Sequence, residues 1–252
     1  MRKKWIKGVL KEIRQKYINR MYELPGFQIV DLFNPYYIDR KTIYDFVKRV
    51  SKQYSGNMIL DFGCGSKPYE KLFLHKTYIG CDIYISGHEN NDKRADVYYD
   101  SHILPFEAES FDTILSTQVL EHVEEFDKIF QELIRVLKAG GVLILTVPFC
   151  FEEHEKPFDF RRFTSFGIRK LFEDNGIELL EIKKSTSYKT TIGYMRCMYY
   201  DNKFRKNKNL INFIARHVCC IINNIKFILQ TNRKDTYEDE DMSINFFVVG
   251  KK

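Results

Sequence analysis

Residues 59–73, ILDFGCGSKPYEKLF, decide the fold. An apolar run ends in an acid, Asp61, and opens into a loop with two glycines, Gly63 and Gly65. Glycine loops after strands let a ligand approach bare backbone. Three ligand classes compete for such a loop: a dinucleotide, a nucleoside triphosphate, or a molecule without phosphate. A dinucleotide fingerprint, G-x-G-x-x-G, needs a third glycine where Pro68 stands. A Walker loop, G-x-x-x-x-G-K-[ST], is absent from this stretch. Asp61 directly before the loop repels a pyrophosphate and suits a cationic group such as an amine. The loop therefore favours a ligand with positive charge and no phosphate.

On either side of it the chain alternates between strand and helix patterns. Short apolar runs at 58–61, 78–81, 96–99, 111–116, 142–147, 177–182 and 244–249 read as seven strands. Residues 40–53 read as a helix, with Ile43, Phe46, Val47 and Val50 on one face. A second helix is expected over 123–137, closed by Gly140-Gly141, and a third over 165–175, with Thr164 or Ser165 as N-cap and Gly176 after its end. This order predicts an α/β, Rossmann-like, doubly wound sheet of seven mostly parallel strands, the last antiparallel. N-terminal helices precede it, the first an amphipathic one at 3–21, and a helical insertion at 184–243 interrupts it before the last strand; its centre, 210–229, reads as an amphipathic helix with a polar stripe of Asn212, Arg216, His217, Asn223, Asn224 and Lys226. The expected domains are an N-terminal helical cap at 1–53 and a body at 54–252.

The 252 residues, 44% hydrophobic and 15% aromatic, suffice for a substantial core. Six cysteines include no C-x-x-C pair, so neither a zinc site nor a redox pair is expected, and no metal ligand set is assigned. Residues 1–20 are basic without a continuous apolar core, so no secretory signal is read there, and a cytoplasmic, reduced setting is expected. The net charge of +6 is divided unevenly. Residues 1–20 hold eight Lys/Arg and one Glu, and residues 202–234 hold eight Lys/Arg and no acid. Residues 21–201 carry 22 bases against 28 acids, so the body is acidic, which argues against a nucleic-acid partner.

In open α/β sheets, ligands sit beyond the carboxyl ends of the strands. Asp82 stands there after the second strand, 21 residues beyond Asp61, where a carboxylate can accept both hydroxyls of a ribose. Asp100 follows the third strand, where an adenine amino group can be met. Amine, ribose and adenine together describe S-adenosylmethionine. The chain here resembles the class I S-adenosylmethionine-dependent methyltransferases. Four ordered stretches carry the resemblance: ILDFGCGSKPYEKLF, YIGCDI, DSHILPFEAESFDTILSTQVLEHV and LIRVLKAGGVLILTVPF. It implies that Asp61, Gly63, Cys64 and Gly65 hold the methionine end of the cofactor. It further implies Asp82 on the ribose, Ile83 against the adenine, Asp100 and Ser101 at the adenine edge, and Gln118 at the sulfonium end.

Methyl transfer to a hydroxyl gains from a general base. The region 148–164, PFCFEEHEKPFDFRRFT, is the candidate acceptor side. It resembles a methyltransferase subgroup with an H-x-x-P-x-D-[FY]-x-R-[FY]-T signature, found alongside glycan-building enzymes. His154 is the expected base, with Asp159 as its partner or alternate. Arg162 is read as an anion ligand or a partner for an acid of the loop itself. His122 is a further candidate for contact with cofactor or substrate, and Cys150 reads as a buried thiol. The expected reaction is O-methylation of a glycan. Alternatives are C- or N-methylation of a lipid quinone or other metabolite, and a non-catalytic cofactor-binding partner. The basic segments 1–20 and 203–230 are expected to meet an anionic membrane, to pack on the body, or to form a homodimer contact.

Overall fold

The central strands are buried on both faces, which is why they read as unbroken apolar runs rather than alternating ones. In a computed structural model, residues 29–84, 93–100, 102–230 and 242–252 are described. The N-terminal helix expected over 3–21 lies outside them, as does Ser101. Seven strands form one sheet: β1 (Met58–Phe62), β2 (Thr77–Ile83), β3 (Val97–Tyr99), β4 (Phe111–Thr117), β5 (Leu137–Pro148), β6 (Glu178–Lys184) and β7 (Asn245–Lys251). Their order is β3-β2-β1-β4-β5-β7-β6, with β7 antiparallel to both neighbours and the other adjacent pairs parallel. This is the expected Rossmann-like architecture. The order reverses between β1 and β4, which creates the crevice where such sheets bind ligands.

Five α-helices occur among the described residues: α1 (Tyr37–Gln53), α2 (Phe126–Val136), α3 (Ser165–Asp174), α4 (Tyr188–Lys206) and α5 (Leu210–Gln230). These residues divide into two compact units, 45–191 with 242–252, and 29–44 with 192–230. In the sheet unit, Phe130 and Leu133 of α2 and Ile168 and Phe172 of α3 join Leu60, Phe62, Ile114, Leu143 and Val248 in one core. The second half of α1 packs through Phe46, stacked on Phe247 of β7 at 4.6 Å. Thr164 caps α3 as expected, its hydroxyl accepting the Gly167 N–H at 3.0 Å.

The second helix is shorter than the 123–137 expected. Leu120–His122 forms a 3-10 turn and Val123 is extended, so α2 begins only at Phe126. It ends at Val136, and Leu137 already pairs with Phe111 of β4. Gly140-Gly141 therefore lies within β5 and does not close the helix.

The helical unit contains an inversion. Two residues of the insertion's polar stripe face inward: Asn212 and Asn224 of α5 are buried beside Cys220 and Phe227, while Lys226 is exposed. The Asn224 amide donates to the carbonyls of Asp31 and Asn34 at 3.0 and 2.9 Å, and Arg216 pairs with Asp201 at 2.5 Å. Ile211, Ile214, Val218, Ile222, Ile225 and Leu229 are exposed at helical spacing. The helix is amphipathic as expected, with its apolar side outward.

Candidate active site

Three strand ends meet at the switch point. Asp61 lies near the end of β1, Asp82 near the end of β2, and Gln118 just past β4. The loop after β1 is built by its own backbone. The N–H groups of Gly63 and Cys64 both donate to the Cys81 carbonyl, at 2.8 and 3.2 Å. Gly65 N–H donates to the Asp82 carboxylate at 2.8 Å, and Lys67 N–H to the Cys64 carbonyl at 2.8 Å. Those donors are spent inside the fold, so the loop offers no bank of amides to a phosphate. Gly63 has φ +72°, and a Cβ there would lie 2.3 Å from the Val119 side chain. Gly65 has φ +49°, and a Cβ there would meet nothing within 4 Å. The loop is thus tight against β4 at its first glycine and open at its second.

Two carboxylates flank this loop. Asp61 is 1% exposed and accepts the Tyr78 hydroxyl at 2.5 Å. Burial pushes its carboxyl up to about 7, against the opposing pull of that hydrogen bond. Asp82 is buried and accepts from Gly65 N–H, from its neighbour Ile83 N–H at 2.8 Å, and from Lys93 Nζ at 2.9 Å. A carboxylate has roughly four acceptor positions, so capacity remains for a hydroxyl. Lys93 is a cation that the sequence reading missed. It stands 11 residues past Asp82, with no motif spacing to announce it. Gln118 adopts φ +55°, and its side-chain amide donates to the Thr146 hydroxyl at 3.1 Å. Ile83 is partly buried, and Asp100 is exposed after β3. An acidic, amide-poor cleft of this kind fits the amine and ribose of S-adenosylmethionine better than a phosphate.

On the other side, residues 150–163 are zipped to the end of β4. Phe160 N–H donates to the Glu121 carbonyl at 2.9 Å. Arg161 donates to the carbonyls of Leu120, Val123 and Glu124, and its guanidinium lies 4.9 Å from the Phe126 ring. Arg161 was missed from the sequence, where Arg162 drew the attention. Arg162 makes a two-pronged pair with Asp159, at 2.5 and 2.8 Å, and donates to the Glu152 carbonyl at 3.1 Å. It serves an acid of its own loop, one of the two readings expected. Burial pushes the Asp159 carboxyl up, but the bonds from Arg162 and His154 N–H outweigh it and hold the group down at about 2. Asp159 is thus a poor proton acceptor at neutral pH. Cys150 is half-buried, and burial pushes its thiol up, which suits the unreactive role expected.

The structure brings together His122 and His154, 32 residues apart in sequence, with their Nε2 atoms 3.1 Å apart. His122 Nδ1 lies 2.7 Å from the Phe158 carbonyl. His154 Nδ1 lies 3.2 Å from the Glu152 carbonyl and 3.3 Å from Asp159. Burial, then the neighbouring His122, hold the His154 imidazole below its ordinary range, so it is neutral at physiological pH. Beside the pair sits Glu121, fully buried, with its carboxyl pushed by burial up to about 8.

Residues 60–145 match the family model described as "Methyltransferase domain". Two curated relatives are a tRNA (carboxymethyluridine(34)-5-O)-methyltransferase of Arabidopsis thaliana and a phthiotriol/phenolphthiotriol dimycocerosates methyltransferase of Mycobacterium ulcerans. The first is 32% identical over 54% of this chain and 33% of its own length. The second is 32% identical over 36% of this chain and 38% of its own. The chain thus spans about a third of the length of these relatives. Among solved structures, the cyclase SpnF superposes with a TM-score of 0.54 at 18% identity, covering 84% of this chain and 81% of that one. An S-adenosylmethionine-dependent methyltransferase of Mesorhizobium loti gives 0.51 at 12% identity, covering 85% and 100%. At such identities the superpositions show the fold. Residues 60–145 of the sheet unit thus match a methyltransferase domain, and the superpositions show that the unit shares the fold of S-adenosylmethionine-dependent methyltransferases.

Proposed function

We propose that this domain transfers the methyl group of S-adenosylmethionine to a hydroxyl oxygen of a glycan, with the acceptor bound beside His122 and His154. The observation that carries the reading is the imidazole pair, held by Nδ1 bonds to the carbonyls of Phe158 and Glu152, with His122 in the turn after β4 and His154 after β5. When bound, the cofactor supplies a methyl carbon activated by a sulfonium. The chain's own part is to align the acceptor, exclude water and dispose of one proton. The S–CH3 and acceptor O–H bonds would break and an O–CH3 bond would form, leaving a neutral thioether, with the proton passing to the imidazole site. His154 fits that role better than Asp159, whose carboxylate is committed to Arg162. The signature from His154 to Thr164 supports a glycan acceptor. The Arabidopsis relative suggests a nucleic acid instead, but the acidic balance of residues 21–201 opposes a phosphate backbone.

The test is product mass spectrometry with deuteromethyl-labelled cofactor and matched panels of sugar nucleotides, lipid-linked sugars, quinones and tRNA. The expected product carries the label on a sugar oxygen. Labelling only of the quinone or tRNA panels contradicts the acceptor class.

The exposed apolar face of α5 supports a lipid-linked form of that acceptor. Residues 202–234 hold eight Lys/Arg and no acid; only Arg216, paired with Asp201, and Lys226 lie on α5, so the flanking bases would draw an anionic bilayer while the apolar side of α5 sits among the acyl chains. No helix among the described residues is long and apolar enough to cross a membrane. The chain is expected to co-sediment with vesicles containing phosphatidylglycerol, and Ile214→Asp with Val218→Asp should release it. Equal sedimentation of the double variant would sink the bilayer contact.

A further inference from the structure

The imidazole pair has a proton count that its neighbours fix. The Phe158 carbonyl can only accept, so His122 Nδ1 carries a hydrogen. His154 Nδ1 faces the Glu152 carbonyl and the Asp159 carboxylate, both acceptors, so it carries one too. In neutral rings this leaves both Nε2 atoms as bare lone pairs, 3.1 Å apart. Two lone pairs at that distance repel unless a positive centre lies between them. A single shared proton would relieve the rings. It would not serve Glu121, which is fully buried and has no hydrogen-bond partner on either oxygen. Its Oε1 lies 3.8 Å from His122 Nε2. Glu155 Oε1 approaches the same nitrogen at 3.7 Å.

We propose that Glu121, His122 and His154 hold one divalent transition-metal ion. One ligand atom from each lies within 4.8 Å of the others. Bonds of about 2.0–2.1 Å in a tetrahedron place ligands roughly 3.3–3.4 Å apart, so the histidines are already at working separation. Glu121 needs only a small side-chain adjustment. Two imidazoles with one carboxylate favour zinc or iron(II) over magnesium, which prefers oxygen and water. The Nδ1 bonds to a carbonyl and to Asp159 are the outer contacts that fix ring orientation in metal-binding histidines. Through Asp159, the Arg162 pair becomes part of the support of the metal site. Metal binding stands independently of the acceptor. Its chemical role rests on the O-methylation reading: an ion with a free position would polarise an acceptor hydroxyl whose proton then passes to solvent, and His154 would serve as base only in the metal-free chain.

The full chain, stripped with chelator and exchanged into metal-free buffer, is titrated with Zn2+ by calorimetry and with Co2+ by visible absorption. One equivalent should bind, and Co2+ should give d–d bands of a site with nitrogen ligands. Glu121→Gln and His154→Asn, checked for fold by circular dichroism, should each weaken binding by about tenfold or more. Absence of saturable binding by the wild type overturns the site, whatever the variants do. So does binding that both folded variants keep unchanged. Calorimetry with S-adenosylmethionine on the same samples separates this failure from failure of the methyltransferase reading.

Discussion

Asp61→Asn should weaken S-adenosylmethionine binding by about 30-fold or more while making the free protein more stable above neutral pH. The two effects have opposite signs because the carboxylate is costly without a cation and useful with one. Asp61 is fully buried, with its carboxyl at about 7 in the fold against 3.8 ordinarily. Between those values the folded chain holds a proton that the unfolded chain has lost. Stability therefore falls as pH rises through this window, by on the order of 4 kcal/mol in full, and levels off above it. Asparagine cannot ionise and should flatten that slope. A cofactor ammonium reverses the balance by favouring the charged carboxylate, and losing one partner of a buried charge pair costs roughly 2–5 kcal/mol. Chemical denaturation at pH 5 and pH 8, with calorimetry on both proteins, reads both signs. Undiminished cofactor affinity in the variant would remove Asp61 from the site.

Arg162→Ala should destabilise the sheet unit by about 3 kcal/mol and leave cofactor affinity within a few-fold of wild type. Asp159 has a side chain 4% exposed and depends on two guanidinium bonds. Breaking a buried pair from one side strands the other charge, a cost of about 3–5 kcal/mol, reduced here because Arg162 is a quarter exposed. The Asp159 carboxyl lies at about 2 in the fold, so its contribution is present above pH 3.8 and lost as pH falls towards 2. The variant should lose that acid dependence, and Arg162→Lys should restore it only in part, because lysine cannot make the two-pronged contact. Urea denaturation decides. A change below about 0.5 kcal/mol would show that the pair does not hold the loop.

The cofactor side was legible in the sequence because its signals are local. A strand, an acid and two glycines fall within seven residues, 59–65, and Asp82 stands near the end of the next strand. The acceptor side was less legible because its contacts are long-range. His122 and His154 announce no shared spacing, and the carbonyls that fix their protons come from Phe158 and Glu152. Arg161 and Lys93 act through carbonyls and a carboxylate that only the folded chain brings near. Helix α4 was read only as part of a helical insertion, without bounds of its own, since YKTTIGYMRCMYYDNKFRK mixes tyrosines and polar residues without a clean apolar stripe. For α5 the sequence showed two faces but not which one points inward. That choice rests on Asn224 finding the carbonyls of Asp31 and Asn34.

Calorimetric titration of the wild-type chain with S-adenosylmethionine near pH 7, in buffers of different ionisation enthalpy, tests the central claim most directly. The expected result is one saturable site per chain with release of a proton, as the ammonium converts Asp61 to its charged form. A folded chain that binds no S-adenosylmethionine, or binds it without any proton release between pH 6 and 8, would contradict the account.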